Sequence, residues 1–387
     1  MINKNIDQIT EEDLQVLIDN GVSEHKTIEY KRALPPNLDK IDKEKTEFLA
    51  DVSSFANASG GDLIYGVTAE NGIPKSLDGL NVNDIDGEIL RLESIIRTGI
   101  EPRIPSVRTQ RVALKNSNVA LVIRIPKSWI APHRVKINDK FYSRSSNGKY
   151  PLDVGELRTA FNLSETITER IRNFRLDRIS KIFANETPIS SSYNTKVILH
   201  LIPIISLNPG QAYDISKIAS QPGNMIPIGS MGGRSRYNLD GFLTYFGQEG
   251  ETHSYVQLFR NGVIEAVAGL SLRSDGKKLI YSDTEEKLIE SFIVYLSLLK
   301  TLNVEPPTFV FLTLLGFKGY SMALSRDRFD TEGYQIDRDV LQLPEVIIES
   351  YDINAAKELK PCFDSIWNAC GFKGSVNYND KGEWAPR

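Results

Sequence analysis

Cysteine is almost absent. Cys362 and Cys370 are the two in 387 residues, eight positions apart in a stretch that reads as helix. At ~1.5 Å rise per residue they would lie ~12 Å apart, too far for a disulfide. No CxxC pair offers a zinc site, so both read as reduced, partly buried thiols of a cytoplasmic protein. Long apolar runs are missing as well. Met1–Asp7 lacks the apolar core of a signal peptide. The stretches Val197–Leu207 and Thr308–Phe317 fall short of the ~20 residues of a membrane helix and read as buried strands.

Other absences narrow the chemistry. The chain has no G-x4-G-K-[ST] loop, no H-E-x-x-H and no G-x-S-x-G, and neither an internal repeat nor a low-complexity tract. Gly229-Ser230-Met231-Gly232-Gly233-Arg234-Ser235 is glycine-rich but lacks the lysine of a phosphate loop. Overall positive charge is also lacking. The formal net charge is −4, which argues mildly against a polyanion partner unless the cations are concentrated.

What is present is the composition of an ordinary globular protein, 41% hydrophobic and 25% charged. The length suggests two domains or more. Helix signals occur at Thr10–Ile18, Lys43–Ala58, Asp84–Thr98, Leu152–Phe161 and Thr166–Phe183. Strand signals occur at Lys26–Lys31, Asp62–Val67, Val107–Leu114, Val119–Ile125 and Lys140–Ser143. After the polar stretch Asn185–Thr195, further strands run to Glu345–Ile348 around a helix at Glu285–Leu302. A closing helix, Ala355–Cys370, is predicted to break at Pro361. The fold class is α+β, with an N-terminal domain at 1–165, a helical connector at 166–184 and a second mixed domain at 185–387.

The candidate chemistry starts at Glu29-Tyr30-Lys31. A period of two puts Glu29 and Lys31 on one strand face. A carboxylate that holds Mg²⁺ or Mn²⁺ and an ammonium that steadies a phosphate are what a metal-dependent nuclease needs; a solvated strand face carries the same residues. Glu24, five positions earlier, would have to reach that face from the preceding turn. Gly60-Gly61 reads as a helix stop.

These residues carry a resemblance. Glu24-x4-Glu29-Tyr30-Lys31 resembles the opening of the Schlafen AlbA-type domain family. Phe55-Ala56-Asn57-Ala58-Ser59-Gly60-Gly61, the strand Asp62–Val67 and Phe141-Tyr142-Ser143-Arg144-Ser145-Ser146 resemble its later motifs, in order. The resemblance implies an α/β domain that binds nucleic acid, RNA more than DNA, and that in some members cuts tRNA or rRNA with Mg²⁺ or Mn²⁺. Glu24, Glu29 and Lys31 would then be catalytic, with Glu24, Glu29 and Glu70 as metal ligands. Thr68 stands where the family has an acid, which favours the alternative of a catalytically silent regulator. Nucleotide (ATP) binding, a label used for relatives, is a further alternative. A role in growth control or phage defence, and self-association into a homo-oligomer, are compatible with all three.

From Glu101 to Tyr150 there are eleven Lys and Arg but two acids. Arg124, Lys127, Arg134, Lys136, Lys140, Arg144 and Lys149 are therefore the expected contacts to a nucleic-acid backbone, with Trp129, Tyr142 and Tyr150 as stacking surfaces. Arg170, Arg172, Arg175 and Arg178 extend the basic stretch. His133 reads as a loop or core residue rather than a catalyst.

Overall fold

A computed structural model describes residues 1–2, 4–36, 42–191, 193–208, 210–248, 251–269, 278–323 and 334–386. Ser192, part of the polar boundary stretch, lies outside these. The chain divides into two compact units, Met1–Ile167 and Thr168–Arg387.

The first unit contains α1 (Glu11–Asp19), β1 (Ile28–Lys31), α2 (Asp42–Asn57), β2 (Gly61–Tyr65), β3 (Val67–Glu70) and β4 (Ile73–Leu77). Next come α3 (Ile85–Gly99), β5 (Ile100–Glu101), β6 (Arg108–Ala113), β7 (Val119–Ile125), β8 (Arg134–Val135), β9 (Lys140–Ser145), β10 (Gly148–Pro151) and the start of α4 (Val154–Phe183). The main sheet has the order β1-β2-β7-β6. Its β1–β2 pair is parallel and the other pairs antiparallel. Side chains alternate across it. Leu63, Tyr65, Leu121 and Ile123 face a core built with α2 and α3. Ile28, Tyr30, Ile64 and Val122 face a second core closed by Ile6, Ile9 and Leu14. A second sheet, β10-β9-β8-β5, packs on α2 through β9.

Gly60-Gly61 ends α2 as expected, and no other residues fit there. Gly60 has φ +70°, and a Cβ on it would lie 2.6 Å from the Lys127 amide nitrogen. A Cβ on Gly61 would lie 2.3 Å from the Phe55 ring. The neighbouring Asn57 is a staple: its side chain accepts from the His133 amide (2.7 Å) and donates to the carbonyls of His133 (3.0 Å) and Tyr142 (2.8 Å).

The second unit holds β11 (Lys196–Pro203), α5 (Ser216–Ala219), β12 (Arg234–Tyr237), β13 (Gly241–Gln248), β14 (Glu251–Phe259), β15 (Ile264–Gly269) and β16 (Leu279–Ile280). It continues with α6 (Asp283–Thr301), β17 (Thr308–Leu315), β18 (Ser321–Met322), β19 (Val340–Gln342), β20 (Val346–Ile348) and α7 (Ala355–Ala369). An eight-stranded sheet runs β12-β13-β14-β15-β11-β17-β19, with β20 also on β17. The two longest apolar runs are its central strands β11 and β17, buried at every position. Leu288, Phe292 and Leu299 of α6 and Leu359, Phe363 and Trp367 of α7 cover one face. The protein is α+β, and among the described residues no helix is long and apolar enough to cross a membrane.

Three sequence expectations need correction. The helices expected at 152–161 and 166–183 are one helix, α4, because nothing between them is Gly or Pro. The division by contacts falls within that helix, so 166–184 is not a separate connector. Pro361 does not break α7; the helix passes through it, held by the buried Leu359, Cys362, Phe363, Ile366 and Trp367.

The arginines of α4 also differ from expectation. Arg170 donates to the Leu207 carbonyl and Arg172 pairs with Glu345. Arg175 donates to Thr313 Oγ1 (2.8 Å) over the Phe311 ring, and Arg178 forms a bidentate pair with the fully buried Glu265. They dock α4 on the second unit's sheet instead of extending a polyanion track. Glu265 also receives the Tyr255 hydroxyl (2.9 Å) and contacts His200 Nε2 (3.0 Å).

Candidate nucleic-acid interface and the Glu29 cluster

β1 is an edge strand, so its outer N–H groups need partners. Glu24 supplies one. It lies in the loop after α1, and its Oε1 accepts from the Tyr30 amide at 3.0 Å. Its own amide donates to the Gly72 carbonyl in the β3–β4 turn at 2.6 Å. The Tyr30 hydroxyl donates to the Val22 carbonyl (2.8 Å), which anchors the same loop. Glu24 therefore reaches β1 from a turn, as the odd spacing requires.

Glu29 and Lys31 share a face, and Lys31 Nζ donates to Glu29 Oε1 at 2.7 Å. The other Glu29 oxygen accepts from Arg144 Nη2, brought in by β9. Arg144 is 4% exposed, with its guanidinium 4.1 Å from the centroid of Phe55. Its Nε and Nη1 have no hydrogen-bond partner among the described residues. Burial pulls its pKa down to about 10, against the opposing field of Glu24. Arg144 thus positions Glu29 and is not presented to solvent.

Sequence reasoning missed Asp51. This buried α2 carboxylate lies 3.4 Å from Lys31 Nζ and 2.8 Å from Lys149 Nζ. It bridges the two lysines, and Lys149 also pairs with Glu47. A lone acid in the otherwise apolar and small run Phe48–Ala56 was the available signal.

The expected metal set is not assembled. Glu29 has a cation on each oxygen, one Glu24 oxygen serves Tyr30, and Glu70 is exposed at the end of β3. Among the described residues, no three His, Cys, Asp or Glu side chains are grouped as a metal's ligands. In this arrangement both Glu29 oxygens are engaged by Lys31 and Arg144, so a divalent cation would have to displace them. Thr68 does hold an acid: its Oγ1 donates to Asp78 Oδ2 at 2.6 Å.

The fold redistributes the basic stretch. Arg124 is bound to Asp62 (2.7 Å) and to the carbonyls of Lys4 and Ile2, so it fastens the N-terminal segment. Arg134 pairs with Glu101 and Asp139. Arg108, Arg111 and Lys115 pair with Asp7, Asp86 and Glu12. With Arg144 and Lys149 also paired, Arg103, Lys127, Lys136 and Lys140 remain exposed and without an ion pair among the described residues. Across residues 1–167, 22 Lys and Arg meet 24 Asp and Glu, so the local excess vanishes within the unit. Of the aromatics, Tyr150 is bound to Glu156, and Tyr142 accepts from Asn138. Trp129 is half-buried. His133 is fully buried, its Nδ1 2.7 Å from the Pro102 carbonyl, and burial lowers its pKa to about 4.

Comparison with known proteins agrees with the motifs. The family model described as Schlafen, AlbA_2 matches residues 24–153. No curated protein matches the chain. The crystal structure of the DIP2311 protein from Corynebacterium diphtheriae is similar over 36% of this chain, with 20% identity and a TM-score of 0.25. This chain spans about a quarter of that protein, 26%. The span of the family-model match, 24–153, includes β1, α2, β2 and β9, the elements that build the Glu29 cluster. Over residues 24–153 the N-terminal unit carries a Schlafen AlbA-type domain.

Proposed function

We propose that this domain binds nucleic acid, RNA in preference to DNA, through a small set of unpaired cations. The observation that carries the reading is the exposure of Arg103, Lys127, Lys136 and Lys140 without carboxylate partners among the described residues, in a domain where the other cations of the stretch are neutralised. Four such groups give salt-sensitive backbone contacts of modest strength. In this reading the Glu29–Arg144–Lys31–Asp51–Lys149 network is the scaffold that fixes β1 against β9 and α2. The test is fluorescence anisotropy of a labelled RNA with wild type and with Glu29→Ala. Salt-sensitive binding retained in the variant supports the reading; no binding at 50 mM KCl would overturn it.

A second reading, cleavage of structured RNA with Mg²⁺ or Mn²⁺, is favoured by the Thr68–Asp78 contact, which returns a carboxylate to the strand position lacking one. Glu24 and Glu29 would be its acids and Lys31 its phosphate contact. Glu29 would have to exchange its two cations for the metal. Incubation of tRNA and rRNA with Mn²⁺ or EDTA, with Glu29→Ala alongside, decides it. Equal RNA loss in both proteins, or none in either, defeats cleavage.

A further inference from the structure

The glycine-rich loop after Ile228 does not belong to the N-terminal site, and it borders a pocket in the second unit. That pocket has a volume of about 150 Å³, room for one ring system and smaller than the ~300–1,000 Å³ of sites that enclose drug-sized ligands. Its floor is aliphatic, with Val197, Ile228 and Leu288. Two rings stand at its rim, Phe246 and His253, with centroids 5.8 Å apart and planes 38° apart. The His253 ring is held in place, since Nδ1 bonds to the Tyr193 hydroxyl and the two rings pack at 5.3 Å. Ser254, Thr284 and Lys287 complete the lining with polar residues.

This combination selects a class of ligand. Paired rings beside an aliphatic floor suit a flat heteroaromatic ring, and polar residues suit its edge. A polyphosphate is disfavoured. Lys287 is already 3.1 Å from Asp283, and the first turn of α6 also carries Glu285 and Glu286. We propose that the pocket takes a single unpaired nucleobase, from a free nucleoside or from an unstacked base of a strand. The site is separate from the Glu29 cluster and does not depend on the reading given for it.

The experiment titrates the full chain with adenosine, guanosine, cytidine and uridine in turn by calorimetry. At least one should bind saturably. Phe246→Ala should weaken it about tenfold or more, the loss expected when one stacking partner goes. Thr284→Val should weaken it less, and Glu29→Ala should leave it unchanged. Phe246 is 46% exposed, so its removal should not move the melting temperature. A single-stranded hexanucleotide then identifies the source: displacement of the nucleoside means a strand base enters, and lack of displacement means free nucleosides alone do. Absence of saturable binding by all four nucleosides, or affinity indifferent to Phe246→Ala, overturns the proposal.

Discussion

Raising the salt from 50 to 200 mM KCl separates the charge visible in the sequence from the charge the fold leaves available. For a single strand, log K falls with log[salt] by roughly 0.7 per neutralised phosphate. If all eleven cations between Glu101 and Tyr150 engaged phosphates, the slope would be about −8 and the fourfold change in salt would cost about 40,000-fold in affinity. The four cations of that stretch without carboxylate partners among the described residues, Arg103, Lys127, Lys136 and Lys140, give a slope of about −3 and a loss of about 50-fold. The assay is anisotropy of a labelled single-stranded RNA at five salt concentrations. The combined variant Lys127→Gln/Lys136→Gln/Lys140→Gln should flatten the slope by about 2. A wild-type slope near −8, or one the triple variant leaves untouched, would refute the view that the paired cations are spent within the fold.

Arg144→Met should remove about 1–3 kcal/mol of stability, the cost of leaving one Glu29 oxygen unsatisfied while Lys31 holds the other, seen as a lower urea midpoint. Arg178→Met should cost ~3–5 kcal/mol by stranding Glu265. Desolvation raises the Glu265 pKa, but Arg178 and His200 outweigh it and hold the group at about 2. Its stabilisation is therefore present above the unfolded value of ~4.3 and lost as pH falls from there towards 2, and acid titration of the far-UV circular dichroism should show Arg178→Met unfolding at higher pH. His133 is held neutral with a folded pKa of about 4, so its contribution is full above the unfolded value of ~6.5 and declines by up to about 3 kcal/mol as pH falls to 4. Urea midpoints between pH 7 and 4.5 should fall less steeply in His133→Gln.

Periodicity was enough to place Glu29 and Lys31 together, because strand alternation is a local rule, and their 2.7 Å contact bears it out. The edge position of β1 was not readable, so neither was the role of Glu24 as partner to the Tyr30 amide. Arg144 and Asp51 reach Glu29 and Lys31 from β9 and α2, and no spacing within β1 encodes that meeting. Charge was the most misleading local signal. Asp7, Glu12, Asp62 and Asp86 neutralise arginines and lysines tens of positions away. The basic face of α4 is likewise the face that docks on the sheet. Pro361 was misread for the converse reason: tertiary packing of Phe363 and Trp367 outweighs one lost helical hydrogen bond.

The contact between Glu24 and the β3–β4 turn reaches beyond its two atoms. Gly72 has φ +74°, and a Cβ there would sit 3.3 Å from Glu24 Oε2. The turn is thus a ruler for the carboxylate: its bare backbone sets how far Glu24 can lie from the edge of β1. Any side chain at Gly72 would push that acid sideways without altering a residue of the Glu24–Lys31 motif. Whether a relative bearing the same motif keeps the same acid geometry can then be judged from a glycine that the motif does not contain.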